Sequence, residues 1–176
     1  MRMMTSLYKT TFLFLLSVIL GIIDLLTKFW VLHNMPYMKP VNIIGDLLRF
    51  TLVLNPNTAF GISLGESFPY AYVAIALAIL VAYLLIREND NFSKLMYALI
   101  LGGAIGNITD RIINGAVVDF VDIGVGNLRW FTFNLADVYV SLGIMGLILR
   151  GLFAKNEGVR SYGGIRKRAC NSGEGN

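Results

Sequence analysis

The sequence predicts a mainly α-helical polytopic membrane protein with four transmembrane helices, a small extracytoplasmic β-sheet and an interfacial helix. Of its 176 residues, 56% are hydrophobic and only 15% are charged, and the mean hydropathy is +0.65. A soluble domain usually contains about 45–50% apolar residues. The charges also cluster between four apolar segments, each close to the roughly 20 residues that cross a bilayer as a helix. Lipid is therefore the expected solvent of most of the chain.

The four predicted spans are the longest apolar segments of the chain, at about residues 11–32, 69–86, 95–113 and 133–153. The uncharged start of the first span follows Arg2 and Lys9, a pattern that is also typical of a secretory signal peptide. No small-x-small cleavage site follows it, and the apolar pattern continues to about Leu32. We therefore expect an uncleaved first span.

Basic residues predict the orientation of the spans. The N-terminal flank, the loop at 87–94 and the C-terminal end from Arg150 onward contain ten of the fifteen Lys and Arg residues. Cytoplasmic segments carry an excess of such residues, so both termini are predicted to be cytoplasmic. The connections at about 34–68 and 114–132 then face outward. We expect residues 1–155 to form one four-helix membrane domain and residues 156–176 a basic cytoplasmic tail attracted to anionic lipid.

Both outward connections contain strand-like sequence. Apolar residues alternate through 49–54, and β-branched residues are frequent in 117–123. Residues 128–133 are again strand-like, so the three pieces can pair into a small sheet on the outer surface. Residues 60–68 are apolar-rich, short and glycine-containing, which is typical of an interfacial segment.

Composition excludes several kinds of function. The only cysteine is Cys170 and the only histidine is His33, so a disulfide framework, a cysteine-rich metal site and a Ser-His-Asp triad are not expected. The net charge of +4 does not indicate nucleic-acid binding, because the basic residues lie at segment ends and not along a stripe with interleaved aromatics. We expect no metal and no cofactor. Chemistry must come from carboxylates, Lys, Arg, Asn and hydroxyls.

Four aspartates crowd between the third and fourth spans: Asp110, Asp119, Asp122 and Asp137. Ionisable side chains at a membrane boundary are functional-site hypotheses by default. Two carboxylates held together can share one proton, so that one takes a proton from water while the other donates to a peptide carbonyl oxygen. In an ideal strand Asp122 lies on the opposite face from Asp119. Spacing alone does not select which two acids form such a pair.

Other polar residues share helix faces with these acids. Asp24 and Lys28 are four residues apart in the first span and so lie on one helix face. This spacing fits an ion pair at the membrane boundary as well as a pair with a functional role. In the third span Asn107 lies on the same face as Asp110 and Arg111. Three glycines precede them and allow close helix packing; they are Gly102, Gly103 and Gly106.

At the start of the fourth span, Asn134 and Asp137 are three residues apart in the first helical turn. A carboxylate there is stabilised by the partial positive charge of the helix N-terminus. On position alone, N-terminal capping explains the pair as well as a functional role does.

Five motifs occur in order along the chain. They are AspLeuLeuThrLys at 24–28, AsnProAsnThrAlaPhe at 55–60, GlyGlyAlaIleGlyAsnIleThrAspArg at 102–111, ValValAspPhe at 117–120 and PheAsnLeuAlaAsp at 133–137. With these motifs the chain resembles lipoprotein signal peptidase, also called signal peptidase II or aspartic peptidase family A8, over about residues 10–153. The resemblance implies a four-span aspartic peptidase of the bacterial inner membrane. It implies a diacylglyceryl-prolipoprotein substrate, cut just before the lipidated cysteine, with the site near the outer (periplasmic) face. Membrane lipids are the other expected partners, and we expect a monomer.

The resemblance also assigns roles to residues. It implies that Asp119 and Asp137 are the catalytic pair. The residues expected to support them or bind substrate are Asp24, Lys28, Asn55, Asn107, Asp110, Arg111 and Asn134. We expect one acid of the pair to be protonated at neutral pH, and the helix N-terminus favours Asp137 as the charged one. The chain departs from the family at Asn57, where the usual motif, Asn-x-Gly, has glycine. After glycine, asparagine is the residue that most readily adopts a positive φ.

Two alternatives from other classes remain open at this stage. An ion- or proton-coupled transporter also uses intramembrane Asp, Asn, Lys and Arg, but it requires polar residues near the middle of several spans, whereas here they gather at one edge. A membrane scaffold held by glycine packing predicts that the aspartates are dispensable. A different aspartic intramembrane protease is disfavoured, because the sequence has no GlyxGlyAsp motif.

Overall fold

The computed structural model describes the backbone of residues 2–56 and 70–171, and the side chains of residues 7–56 and 70–153. The four helices within these ranges are α1 (Arg2–Asn34), α2 (Tyr70–Arg87), α3 (Asn91–Asn114) and α4 (Leu135–Asn171). Each contains a segment that is long and apolar enough to cross a membrane. The prediction of four spans is therefore confirmed, and the chain is a multi-pass membrane protein. The predicted interfacial segment at 60–68 and the departure at residue 57 lie outside the described residues.

The helices extend beyond the predicted spans, mainly at the ends that the basic residues assign to the cytoplasm. Helix α3 begins at Asn91 and not near residue 95, because Asp90 caps it by accepting a hydrogen bond from the Ser93 backbone N–H (2.9 Å). This backbone N–H, together with Arg150, holds the pKa of the Asp90 carboxyl below its ordinary value. Helix α4 continues past residue 153, where the predicted span ends, to Asn171.

Glycines let α3 pack closely against two neighbouring helices. A Cβ atom added at Gly102 would lie 3.1 Å from the Ser17 carbonyl oxygen of α1, and one added at Gly103 would overlap the Ala136 carbonyl oxygen of α4. Gly106 leaves room for the Asp24 carboxyl in the same way. The predicted role of these glycines in helix packing is confirmed.

Replacing Gly103 with alanine is expected to lower the free energy of unfolding by about 1–3 kcal/mol, because the added methyl group meets backbone that cannot turn away. Thermal unfolding in detergent micelles measures the change. Gly151→Ala on α4 is the matched control, since nothing lies within 4 Å of its added Cβ atom. Equal melting temperatures for the two variants would contradict close packing at Gly103.

A four-stranded antiparallel sheet covers one end of the helices, with strand order β1-β2-β3-β4. The strands are β1 (Val41–Ile44), β2 (Leu48–Asn55), β3 (Val117–Val125) and β4 (Leu128–Arg129). The strands predicted at 49–54 and 117–123 are confirmed as β2 and β3. The piece predicted at 128–133 is a strand only as far as Arg129, because the chain then turns towards α4 and only Phe133 bridges back to β3.

An apolar cluster fixes the sheet against the end of α1. Val31 of α1 packs with Leu52 of β2 and with Val118 and Phe120 of β3. The Phe120 ring also meets Phe50 edge-to-face, with centroids 5.6 Å apart. Because the neighbours of residue 119 point into this cluster, the Asp119 side chain points the other way, towards α3 and α4.

Candidate active site

Asp119 is buried on β3, with 3% of its surface exposed. Its Oδ1 accepts a hydrogen bond from Asn134 Nδ2 (2.7 Å), and its Oδ2 accepts one from Asn55 Nδ2 (3.0 Å). Burial raises the pKa of the Asp119 carboxyl to about 6, and the nearby negative charge of Asp137 adds to the rise while the two amides oppose it. This carboxyl therefore holds a proton in mildly acidic solution.

Asp137 lies in the first turn of α4, where it forms a reciprocal cap with Asn134. The Asp137 backbone N–H donates to Asn134 Oδ1 (3.0 Å), and the Asn134 backbone N–H donates to Asp137 Oδ2 (3.3 Å). The capping interpretation is thus correct. The other carboxylate oxygen, Oδ1, accepts a bond from Asn107 Nδ2 on α3 (2.9 Å), so the same side chain also faces the neighbouring helix.

Asn134 joins the two acids. Its side chain is fully buried, with its amide nitrogen on Asp119 and its amide oxygen on the backbone of Asp137. The strand that carries one acid and the helix that carries the other are therefore locked together through a single amide.

Lys28 forms the centre of a second buried cluster directly beside this pair. Its Nζ lies 2.7 Å from Asp24 Oδ2 and 3.4 Å from Asp110 Oδ2, and it donates to Asn107 Oδ1 (2.7 Å). The predicted Asp24–Lys28 pair is confirmed, but it does not simply mark a membrane boundary. Asp24 Oδ1 also accepts the Ala136 backbone N–H (2.8 Å) at the start of α4, so the ion pair ties α1, α3 and α4 together.

Asp110 holds the start of β3 in place. Its Oδ2 accepts the Val118 backbone N–H (2.6 Å) and its Oδ1 accepts Asn114 Nδ2 (2.5 Å). Helix α3 ends at Gly115 in the left-handed conformation (φ 71°), which turns the chain back over the helix end. Asp110 thus holds the backbone of Val118, the residue directly before Asp119. Asn114 was not singled out from the sequence, although its i, i+4 spacing from Asp110 was a signal for it.

Asp122 lies away from the other acids, as its place on the opposite strand face predicts. It receives hydrogen bonds from Arg129 Nε (2.9 Å) and Thr51 Oγ1 (3.2 Å). Arg129 also donates to the Asp46 carbonyl oxygen (2.6 Å), and Asp46 pairs with Arg49. This ion-pair network fastens the β1–β2 turn to the β3–β4 hairpin, and sequence reasoning did not find it.

An apolar groove of about 450 Å³ runs from the acids between α2, α3 and α4. Its walls include Leu77 of α2, Ala104 of α3 and Ile144 of α4, while Asp119 and Asp137 lie at its polar end. Arg111 and Asn107 also face this end, and Arg111 Nη1 donates to the Asn107 carbonyl oxygen (3.3 Å). Within the described ranges, no group of three or more His, Cys, Asp or Glu side chains is arranged to hold a metal ion. The site therefore holds two carboxyl groups at the polar end of this apolar groove.

Residues 16–153 match the sequence model of a protein family described as signal peptidase (SPase) II. The chain belongs to the signal peptidase II family. Two relatives named lipoprotein signal peptidase come from Blochmanniella pennsylvanica and Pelagibacter ubique. The first is 32% identical over 81% of this chain and 90% of its own length, and the second 36% identical over 77% and 84%. A third, from Caldicellulosiruptor bescii, is 40% identical over 68% of this chain and 76% of its own length.

Two solved structures share the fold of this chain. A bacterial membrane enzyme determined by the in meso method superposes with a TM-score of 0.75 at 26% identity, covering 84% of this chain and 91% of its own. A second gives a TM-score of 0.70 at 27% identity, covering 81% and 93%. The four-helix architecture with its small sheet is therefore shared with membrane enzymes, and the chain is a peptidase by family.

Proposed function

We propose that this protein is a membrane aspartic endopeptidase that removes signal peptides from diacylglyceryl-modified prolipoproteins, cutting just before the lipidated cysteine. The observation that carries the proposal is the joining of Asp119 and Asp137 through Asn134 at the polar end of an apolar groove. The relatives named lipoprotein signal peptidase support the substrate class. Family membership favours this function over the transporter and scaffold alternatives.

The pair hydrolyses the peptide bond by moving two protons. The ionised carboxylate takes a proton from water as the water oxygen bonds to the carbonyl carbon, and the protonated carboxyl donates its proton to the carbonyl oxygen. In the resulting diol, the second carboxyl takes a hydroxyl proton while the first donates its proton to the amide nitrogen. The C–N bond then breaks, giving a new carboxyl group and a free cysteine amine, and the pair returns to its starting state.

The surrounding residues support this reaction in different ways. Asn55, Asn107 and Asn134 hold the two carboxyl groups by hydrogen bonds. The cluster of Asp24, Lys28 and Asp110 joins the elements that carry them, and Arg111 faces the groove at its polar end. The apolar walls of the groove suit a signal-peptide segment or an acyl chain, because an apolar group that binds there is shielded from water.

Orientation and cellular location form part of the same proposal. The site lies where α1 and α3 end and α4 begins, next to the sheet. With both termini in the cytoplasm, that end of the bundle faces outward, so cleavage occurs at the outer face of the bacterial inner membrane. We propose that the protein acts as a monomer.

Incubation of the purified protein with a diacylglyceryl prolipoprotein, and separately with its unlipidated form, tests the function. Mass spectrometry of the products identifies the bond that is cut. We expect cleavage of the lipidated form alone, immediately before the modified cysteine. If neither form is cleaved, the peptidase proposal is wrong. If both forms are cleaved equally, the protein does not recognise the lipid.

The rate of cleavage is expected to fall as the pH rises. Because the pKa of Asp119 is raised to about 6, the pair keeps its shared proton below that pH and releases it above. A reaction that needs the proton then loses about tenfold in kcat/KM for each pH unit above about 6. With a pKa of about 6, about a tenth of the free protein retains the proton at pH 7. A pH profile of kcat/KM between 5 and 9 checks this, and a rate that rises throughout that range would contradict it.

A further inference from the structure

A second apolar groove, of about 350 Å³, lies beside the start of α4. Aromatic side chains of the segment 130–133, which joins β4 to α4, form one wall of it. Residues from the first two turns of α4 form the other wall. Ligand sites in proteins typically have volumes of about 300–1,000 Å³, so this second groove is large enough to bind a ligand.

The second groove meets the first groove, which lies between α2, α3 and α4, along one ridge of α4. Asp137 and Val140 line both grooves. Next to them, Ile144 lines the first groove and Ser141 lines the second. Because these four residues recur at three- and four-residue spacing, they lie on one face of α4. A molecule bound at Asp137 can therefore extend into both grooves at once.

The substrate of the proposed reaction has two apolar parts, one on each side of the bond that is cut. The signal peptide precedes this bond, and the diacylglyceryl group is attached to the side chain of the cysteine that follows it. The glycerol is therefore only a few covalent bonds from the scissile carbonyl carbon. A substrate bound at Asp119 and Asp137 has to direct both apolar parts away from the pair, and two grooves that meet at Asp137 allow this.

The polarity of the two grooves indicates which part each one binds. At its polar end the first groove presents Asn107, Arg111 and Thr132 beside the acids. Among the residues that the structure describes, the second groove offers only the Ser141 hydroxyl and the indole N–H of Trp130 besides Asp137. A peptide backbone carries donors and acceptors that need partners away from water, whereas an acyl chain carries none. The second groove thus suits an acyl chain better than a peptide.

The second groove is also open to the lipid that surrounds the spans. Trp130 and Leu142 line it, and both are more than half exposed. Tryptophan in membrane proteins typically lies at the level of the lipid headgroups, and this is the depth at which the glycerol of a lipidated substrate lies. An acyl chain can therefore enter the groove sideways from the outer leaflet without passing through water.

We propose that the second groove binds one acyl chain of the diacylglyceryl group, while the first groove binds the signal-peptide segment before the cleaved bond. Trp130, Phe133 and Leu142 contact the chain, and the small side chain of Ser141 leaves room for it. This proposal rests on the proposed peptidase function and names residues through which the lipid is recognised.

Substrates that differ only in acyl length test the proposal. The dipalmitoyl and dibutyryl forms of one prolipoprotein are compared by kcat/KM in micelles, with the native protein and two variants. Ser141→Phe fills the second groove, and the matched variant Ala78→Phe, on α2, narrows the first. We expect the native protein to prefer the dipalmitoyl form by about tenfold, because the short chains leave the second groove unfilled. Ser141→Phe should lose most of this preference, whereas Ala78→Phe should slow the cleavage of both forms alike.

The opposite pattern would overturn the proposal. If Ala78→Phe abolishes the preference and Ser141→Phe keeps it, the acyl chain lies in the first groove. If the native protein cleaves both forms equally well, acyl length is not recognised at all. If the native protein cleaves neither form, the proposed function itself is wrong.

A second measurement does not depend on cleavage. Full-length Asp119→Asn protein in micelles is mixed with a lipidated prolipoprotein that carries a diazirine close to the ester of one acyl chain. Irradiation followed by mass spectrometry locates the labelled residues, and we expect label on Phe133 or Leu142. Leu77 of α2 reports on the first groove, and Ile148, exposed further along α4, reports on general contact with lipid. Label on Leu77, label on Ile148 as strong as that on Leu142, or no label in the second groove would each contradict the proposal.

Discussion

Replacing either Asp119 or Asp137 with asparagine is expected to lower kcat for a lipidated prolipoprotein by about 10³-fold or more. Each acid makes one of the two proton transfers, and a positioned acid or base typically contributes about 10²–10⁴-fold. Asparagine keeps the size of the side chain and an oxygen for the neighbouring amides, so the fold is expected to persist. Single-turnover cleavage in micelles measures the rate.

Asp122→Asn is the matched control for this prediction. It makes the same chemical change on the same strand, but Asp122 binds Arg129 and Thr51 and not the amides of the pair. We expect kcat within about threefold of the native protein and a loss of about 1–3 kcal/mol in the free energy of unfolding, from the broken charged hydrogen bonds. Equal inactivation by Asp122→Asn and Asp119→Asn would mean that the pair has been assigned to the wrong acids.

Lys28→Met is expected to have the largest effect on stability, lowering the free energy of unfolding by about 3–5 kcal/mol. The lysine is 1% exposed, and its removal leaves Asp24 and Asp110 buried without their cation. Thermal unfolding in micelles measures the loss. Lys39→Met, at an exposed position, is the matched control and should change little.

A second substitution tells charge from packing in this cluster. Adding Asp24→Asn to Lys28→Met removes one of the two uncompensated carboxylates, so part of the lost stability should return. A double variant less stable than Lys28→Met alone would show that the cluster acts through side-chain packing and not through charge.

Local patterns in the sequence predicted the elements of this fold. Apolar length identified the four spans, alternation and β-branching identified β2 and β3, and four-residue spacing identified the Asp24–Lys28 pair. Strand β1 was not predicted because its four residues, Val-Asn-Ile-Ile, do not alternate between apolar and polar. All four are exposed, so neither face of the strand needs to be apolar. Strand β4 is shorter than predicted because the chain must leave the sheet to start α4.

Contacts between distant elements could not be predicted in this way. Spacing shows which residues share one helix face, but not that Asp24 reaches the backbone of Ala136 or that Lys28 reaches Asn107. The choice of Asp119 and Asp137 among four acids came from family resemblance, because all four fit the spacing. The structure supplies the physical distinction: Asp122 is bound by Arg129, Asp110 lies against Lys28, and the remaining two meet through Asn134.

The central claim is that Asp119 and Asp137 act as one catalytic unit, and a double-mutant cycle tests it most directly. The single-turnover rate on the lipidated substrate is measured for Asp119→Asn, Asp137→Asn and the double variant. Residues that act as a unit show grossly non-additive losses. We therefore predict a double variant about as slow as the slower single variant. Losses that multiply, or a single variant that retains the native rate, would contradict the claim.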